Sequence, residues 1–139
     1  MYKIEVRVRF RYGHRLMPPY KGKCNNPHGE GGTAIFVFKT KLLDSNGMVD
    51  DFGNAKRTIK EWIDKHLDHA YIYRKDDKVG KFLKKSGFKV YEMEVNPTAE
   101  NIACLLCKEI REHGKFGRLT AVGIIESFED SIAWYEMEY

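Results

Sequence analysis

At the N-terminus apolar and charged side chains change places at every step: Tyr2, Ile4, Val6, Val8 and Phe10 alternate with Lys3, Glu5, Arg7, Arg9 and Arg11. Successive side chains of a strand point to opposite faces, so this period predicts a half-buried strand with one wet face. A loop rich in Gly, Pro and Asn is expected from about Met17 to Gly32. Thr33 to Leu43, dense in β-branched and aromatic residues, reads as a second strand. Asp44–Ser45–Asn46–Gly47 supplies turn residues, and an antiparallel pair needs no crossover helix.

From Asp51 the period lengthens. Phe52, Ala55, Ile59, Trp62, Ile63, His66 and Leu67 recur at spacings of three and four, as one face of a helix does. Tyr71 to Gly87 is charged and irregular, with room for a short helix around Val79 to Lys85, and Phe88 to Val95 reads as a third strand. Asn96–Pro97–Thr98 starts another helix, because Asn or Thr can cap it and Pro is tolerated in the first turn. Ala99, Ile102, Ala103, Leu106 and Ile110 continue its apolar face, and Gly114 and Gly117 bracket its end. Leu119 to Phe128 and Ile132 to Glu138 supply the last strand or strands. The predicted order is β-β-α-β-α-β, an α+β fold whose antiparallel sheet carries two helices on one face.

With 139 residues and no repeats or linkers, the chain is expected to form one domain over residues 1–139, large enough to bury its own core. No segment approaches the ~18 to 20 consecutive apolar residues of a membrane span, and the expectation is a soluble, cytoplasmic protein. The three cysteines, Cys24, Cys104 and Cys107, form an odd set, which argues for reduced thiols over a disulfide framework. Cys104 and Cys107, flanking Leu105 and Leu106 at helical spacing, read as core packing. A net charge of +4, with bases scattered among acids, suits an anionic small molecule and argues against a nucleic-acid partner. The run from Arg74 to Lys85 reads as a solvated surface. Aromatic residues at both ends of the chain (Tyr2, Phe10, Trp134, Tyr135, Tyr139) point to association of subunits through sheet edges.

The chemistry concentrates in the first half. His28 and Glu30 stand two apart, so on a strand both point to one face, and His14 can reach them from the end of the preceding strand. Two imidazoles and a carboxylate are a known catalytic zinc set, with a fourth position left for water or substrate. Cys24 is either a fourth ligand or a nearby base. The base is preferred, because a closed four-ligand site is usually structural and a chain of this length does not need one to fold. Asp68 and His69 fall at the C-terminal end of the first helix, where a carboxylate adjoining an imidazole can orient it for proton transfer.

These residues resemble, in order, the motifs of the 6-pyruvoyl-tetrahydropterin synthase and 6-carboxy-tetrahydropterin synthase family, whose bacterial branch makes a queuosine precursor. The matching segments are His14, Cys24 with His28–Gly29–Glu30, Gly47–Met48–Val49–Asp50–Asp51–Phe52, Asp68–His69, Pro97–Thr98–Ala99–Glu100–Asn101 and Glu126, and they span nearly the whole chain. The resemblance implies the tunnelling fold, in which trimers close their sheets into a barrel and two trimers stack into a homohexamer. It also implies Zn2+ on His14 and His28, and 7,8-dihydroneopterin triphosphate as substrate. Cys24 would accept a proton as thiolate, and Asp68 would orient His69 as proton donor or shuttle, with subunit packing able to place that pair across an interface. Glu126 would anchor the pterin amino group and ring N–H, with Thr98 and Glu100 helping at the same pocket.

The chain departs from the family at Glu30, where the third metal ligand is His, at the following Gly31–Gly32, and at Tyr73, where Asn is frequent. A carboxylate lowers the Lewis acidity of a bound metal and admits other metals more readily. The favoured product is 6-carboxy-tetrahydropterin. The alternatives are a 6-pyruvoyl-tetrahydropterin synthase, or a divergent pterin- and metal-binding paralogue with little catalysis.

Overall fold

The structure is a computed structural model, which describes residues 1–127 and 130–138. Phe128 and Tyr139, expected at a strand end and among the terminal aromatics, lie outside the described residues. Two long strands form the centre of the sheet: β1 (Tyr2–His14) and β2 (His28–Thr40) pair antiparallel from Tyr2↔Thr40 to His14↔His28. Both are longer at the loop end than the apolar pattern predicts. The sequence from His28 to Gly32 has poor strand propensity, but full pairing with β1 holds it extended.

After β2 the chain passes through helix α1 (Phe52–His66), strand β3 (Ala70–Arg74), helix α2 (Lys78–Lys85), strand β4 (Val90–Met93), helix α3 (Ala99–His113) and strands β5 (Leu119–Glu126) and β6 (Ala133–Glu136). The six strands lie in the order β4-β3-β1-β2-β5-β6. The β1-β2, β2-β5 and β5-β6 pairs are antiparallel, as expected. The β1-β3 and β3-β4 pairs are parallel, which corrects the expectation of a wholly antiparallel sheet. The physical reason is the crossover: α2 links β3 to β4, and parallel neighbours require such a connection.

The α+β class stands, with β3 added between the predicted elements and α2 standing where a short helix is expected around Val79 to Lys85. Val6, Val8, Phe10 and Tyr12 of β1, Phe36 and Phe38 of β2, and Val122 and Ile124 of β5 pack with Ile59 and Ile63 of α1 and Ile102, Leu106 and Ile110 of α3. So α1 and α3 cover one face, as expected. Helix α2 lies on the other: Ile72 joins the main core, so Tyr71 and Tyr73 point away from it, and Gly80 of α2 presses its backbone on the Tyr73 ring. A side chain at Gly80 would collide with that ring. Side-chain caps define the helix starts: Asp51 accepts from Asn54 N at 2.7 Å, Asp77 from Val79 N at 2.9 Å and Thr98 from Asn101 N at 3.1 Å.

The stretch read as solvated surface holds a buried charge. Asp77 is fully buried, and it accepts from Arg15 Nη2 at 2.8 Å and from the Tyr71 hydroxyl at 2.8 Å. This pins the residue after the end of β1 to the start of α2. Among the described residues no helix is long and apolar enough to cross a membrane.

Candidate metal centre and active site

Strand register assembles the centre. His14 faces His28, and Tyr12 faces Glu30, so the four side chains share the face covered by α1 and α3. The imidazole rings of His14 and His28 lie 4.5 Å apart between centroids. One ligand-type atom from each of His14, His28 and Glu30 lies within 4.8 Å of the others. This is the group expected from the spacing alone.

Hydrogen bonds orient the imidazoles. His14 Nδ1 lies 2.8 Å from the Pro97 carbonyl and His28 Nδ1 lies 2.7 Å from the Asn26 carbonyl. A carbonyl can only accept, so each Nδ1 carries the proton and each Nε2 keeps a free lone pair. Burial holds the His14 imidazole below its ordinary value, favouring the neutral ring that a metal requires. His28 Nε2 is buried and, among the described residues, has no hydrogen-bond partner, although Glu30 Oε1 stands 3.4 Å away. A buried lone pair without a partner, facing a second imidazole and a carboxylate, fits a divalent metal.

Glu126 belongs to the same site. The Tyr12 hydroxyl donates to its Oε1 at 2.9 Å, while the Tyr12 ring meets His14 edge-on at 5.2 Å. Burial raises the Glu126 carboxyl above its ordinary range; the Tyr12 hydrogen bond opposes this and the charge of Glu30 adds to it. Burial, with Glu126 adding to it, pushes the Tyr12 phenol far above its ordinary value, so it remains a donor. Glu126 and Glu100 line a cleft of about 340 Å³ with Ile132 and Ala133. Thr98 caps α3.

Cys24 sits in a single 3-10 turn, Lys23–Asn25, where its amide donates to the Tyr20 hydroxyl at 3.3 Å and its carbonyl accepts from Leu16 N at 2.8 Å. The thiol is half-buried and lies outside the three-residue ligand group. Asp68 and His69 follow the end of α1. Asp68 Oδ2 and His69 Nδ1 lie 2.8 Å apart, and Asp68 Oδ1 accepts from Arg11 N at 3.0 Å. Burial alone would raise the Asp68 carboxyl, but the Arg11 amide and His69 outweigh it and hold it below its ordinary range. The pair lines a cleft of about 630 Å³ with Arg9, Arg11 and Thr33, which belong to the sheet face opposite His14. Within one chain, then, the metal group and Glu126 come together, while Asp68–His69 open on the other sheet face, where His69 lines a cleft of about 700 Å³ together with Glu30.

Three participants escape a reading of motifs. The Pro97 carbonyl orients His14, Tyr12 bridges to Glu126, and Ser127 donates to Glu30 Oε2 at 2.6 Å. Tyr12 is legible in retrospect, because it continues the β1 alternation in phase with His14.

The 6-pyruvoyl tetrahydropterin synthase family model matches residues 3–138. The chain belongs to that family. Among curated relatives, the 6-carboxy-5,6,7,8-tetrahydropterin synthase of Rickettsia typhi is 42% identical over 112 residues, covering 79% of this chain and 80% of that protein. A Wolinella succinogenes structure superposes with a TM-score of 0.82 at 22% identity, covering 99% of this chain and 98% of that one. The Caenorhabditis elegans 6-pyruvoyl tetrahydropterin synthase structure gives 0.71 at 23% identity, covering 99% and 96%. These likenesses establish the family's tunnelling fold for this chain.

Proposed function

We propose that this protein is a 6-carboxy-tetrahydropterin synthase acting on 7,8-dihydroneopterin triphosphate, in the pathway to a queuosine precursor. The observation that carries the reading is the arrangement around Tyr12, whose ring packs on His14 and whose hydroxyl holds Glu126. A metal-type donor group and a carboxylate acceptor thereby adjoin, in a chain 42% identical over 112 residues to an enzyme of that name.

His14, His28 and Glu30 would hold Zn2+, which when bound supplies a Lewis acid for the substrate's side-chain hydroxyl. Glu126 accepts from the pterin amino group and ring N–H, a donor pair matched to the two oxygens of a carboxylate. Cys24, as thiolate, takes the proton from the side chain of the bound substrate. Asp68 holds the His69 ring so that it can deliver or relay a proton. Because Asp68–His69 lie on the face opposite the metal group, we assign them to the site of a neighbouring subunit. That requires an oligomer, for which we propose the homohexamer of two stacked trimers, and the compartment proposed is the cytoplasm.

Glu30, standing where the family carries His, favours one second reading: a pterin- and metal-binding paralogue with little turnover. Incubation with 7,8-dihydroneopterin triphosphate and mass analysis of the products separates the readings. The expected product is 6-carboxy-tetrahydropterin. A 6-pyruvoyl product would move the chain to the sister activity, and retained pterin binding without product would favour the paralogue.

A further inference from the structure

Ser127 immediately follows Glu126 at the end of β5 and has a φ of 32°, on the left-handed side that L side chains rarely adopt. Three hydrogen bonds tie it to β2. Its amide donates to the Gly31 carbonyl at 2.5 Å, its Oγ accepts from Gly31 N at 2.8 Å, and that hydroxyl donates to Glu30 Oε2 at 2.6 Å. The hydroxyl is therefore oriented: one of its two lone pairs is taken by the Gly31 amide, and among the described residues its proton goes to Glu30. The other oxygen of the same carboxylate, Oε1, lies 3.4 Å from the unpartnered His28 Nε2.

An imidazole whose Nδ1 is engaged has a single nitrogen left to offer, so its ligand atom is settled by one hydrogen bond. A carboxylate has two equivalent oxygens on a broad terminal torsion, and nothing in its own structure selects between them. In this chain the selection falls to Ser127. We propose that Ser127 is a positioning residue that presents Glu30 to the metal through Oε1 alone, making a carboxylate usable in a position its family fills with imidazole. This rests on the reading that His14, His28 and Glu30 hold a metal. Backbone strain at a serine supports it, because glycine would adopt this φ at less cost and the hydroxyl is what glycine lacks.

The test is metal affinity of the full-length protein, stripped of metal and titrated with Zn2+ against a chromophoric chelator. Ser127→Gly keeps the backbone bond to Gly31 and relieves the strained φ, so the metal-free variant should melt no lower than the native protein. Its Zn2+ affinity should nevertheless fall by about 10- to 100-fold, the usual loss when a ligand's orienting partner is removed. Ser127→Ala should show the same affinity loss. In a Glu30→His background, where no carboxylate needs orienting, Ser127→Gly should change affinity by less than about twofold. Native affinity in Ser127→Gly overturns the inference and leaves the metal reading standing. An equal loss in the Glu30→His background also overturns it, by making Ser127 a structural residue only. No Zn2+ uptake by the unsubstituted protein overturns both.

Discussion

The metal group and the Asp68–His69 pair both adjoin the last residues of β1, and they are held by opposite means. His14, His28 and Glu30 are set by strand register on the covered face of the sheet, with His14 buried and Nδ1 of each ring anchored to a carbonyl. Asp68 and His69 are set by the turn after α1, on the face opposite α1 and α3. His69 has a φ of 62°, its amide donates to the Arg11 carbonyl at 2.6 Å, and its side chain is 74% exposed. A register-held group is organised before anything binds, because moving one ligand means breaking the ladder between β1 and β2. The Asp–His pair keeps its internal geometry but faces outward, as a group does when its target comes from elsewhere.

The largest effect should follow from breaking the register-held group. His28→Ala is expected to reduce bound metal from roughly one per chain toward none and to abolish turnover, with the fold retained. Elemental analysis and circular dichroism check this. Full metal content in the variant would show that the group is not the metal site.

The pair's outward setting can be tested by mixing subunits. Cys24→Ala and His69→Ala should each lower turnover by about 10²- to 10⁴-fold. When the two variants are dissociated, mixed equally and reassembled, roughly a quarter of the native activity should return, because random pairing gives that share of sites both intact residues. No recovery would place Cys24 and His69 in the same chain's site and undo the contrast.

Glu126→Ala should weaken pterin binding by about 1.5 to 3 kcal/mol, the worth of a lost charge-assisted hydrogen bond, as followed by fluorescence titration. Cys24→Ala should bind pterin almost normally, since the thiol serves the side chain of the substrate. Equal binding by both variants would remove Glu126 from the pterin site.

The smallest effect concerns pH. Burial lowers the His14 value below its ordinary 6.5, so between the two values the unfolded chain binds more protons than the folded one. The metal-free protein should therefore lose stability as pH falls below about 6.5 and through the folded value, read as a declining urea midpoint. A His14→Gln variant should show a flatter profile, and an unchanged profile would assign the slope to other groups.

The parts that were hard to read have physical reasons. Strand β3 escaped prediction because α2 covers Tyr71 and Tyr73 while the main core covers Ala70 and Ile72, so its sequence runs apolar on both faces and shows no alternation. The start of β2 reads as loop in the sequence because its glycines carry no strand signal, and only the pairing of Gly29, Gly31 and Gly32 with β1 holds them extended. Buried Asp77 looked like one charge in a solvated run because its partners, Arg15 and Tyr71, are remote or masked by alternation.

By itself the sequence determined what is local: the phase that puts Tyr12 and His14 on one side of a strand, the two-residue spacing of His28 and Glu30, the helix periods and the caps. Those follow from the fixed periods of strand and helix, which any short segment displays. Tertiary structure decided which of these meet. Tyr12 and Glu126, 114 residues apart, and Glu30 and Ser127, 97 apart, touch only because β1, β2 and β5 lie side by side in one register. It also decided that Asp68–His69 face away from the metal group, since the sheet face on which a helix-end turn emerges depends on how the whole layer packs.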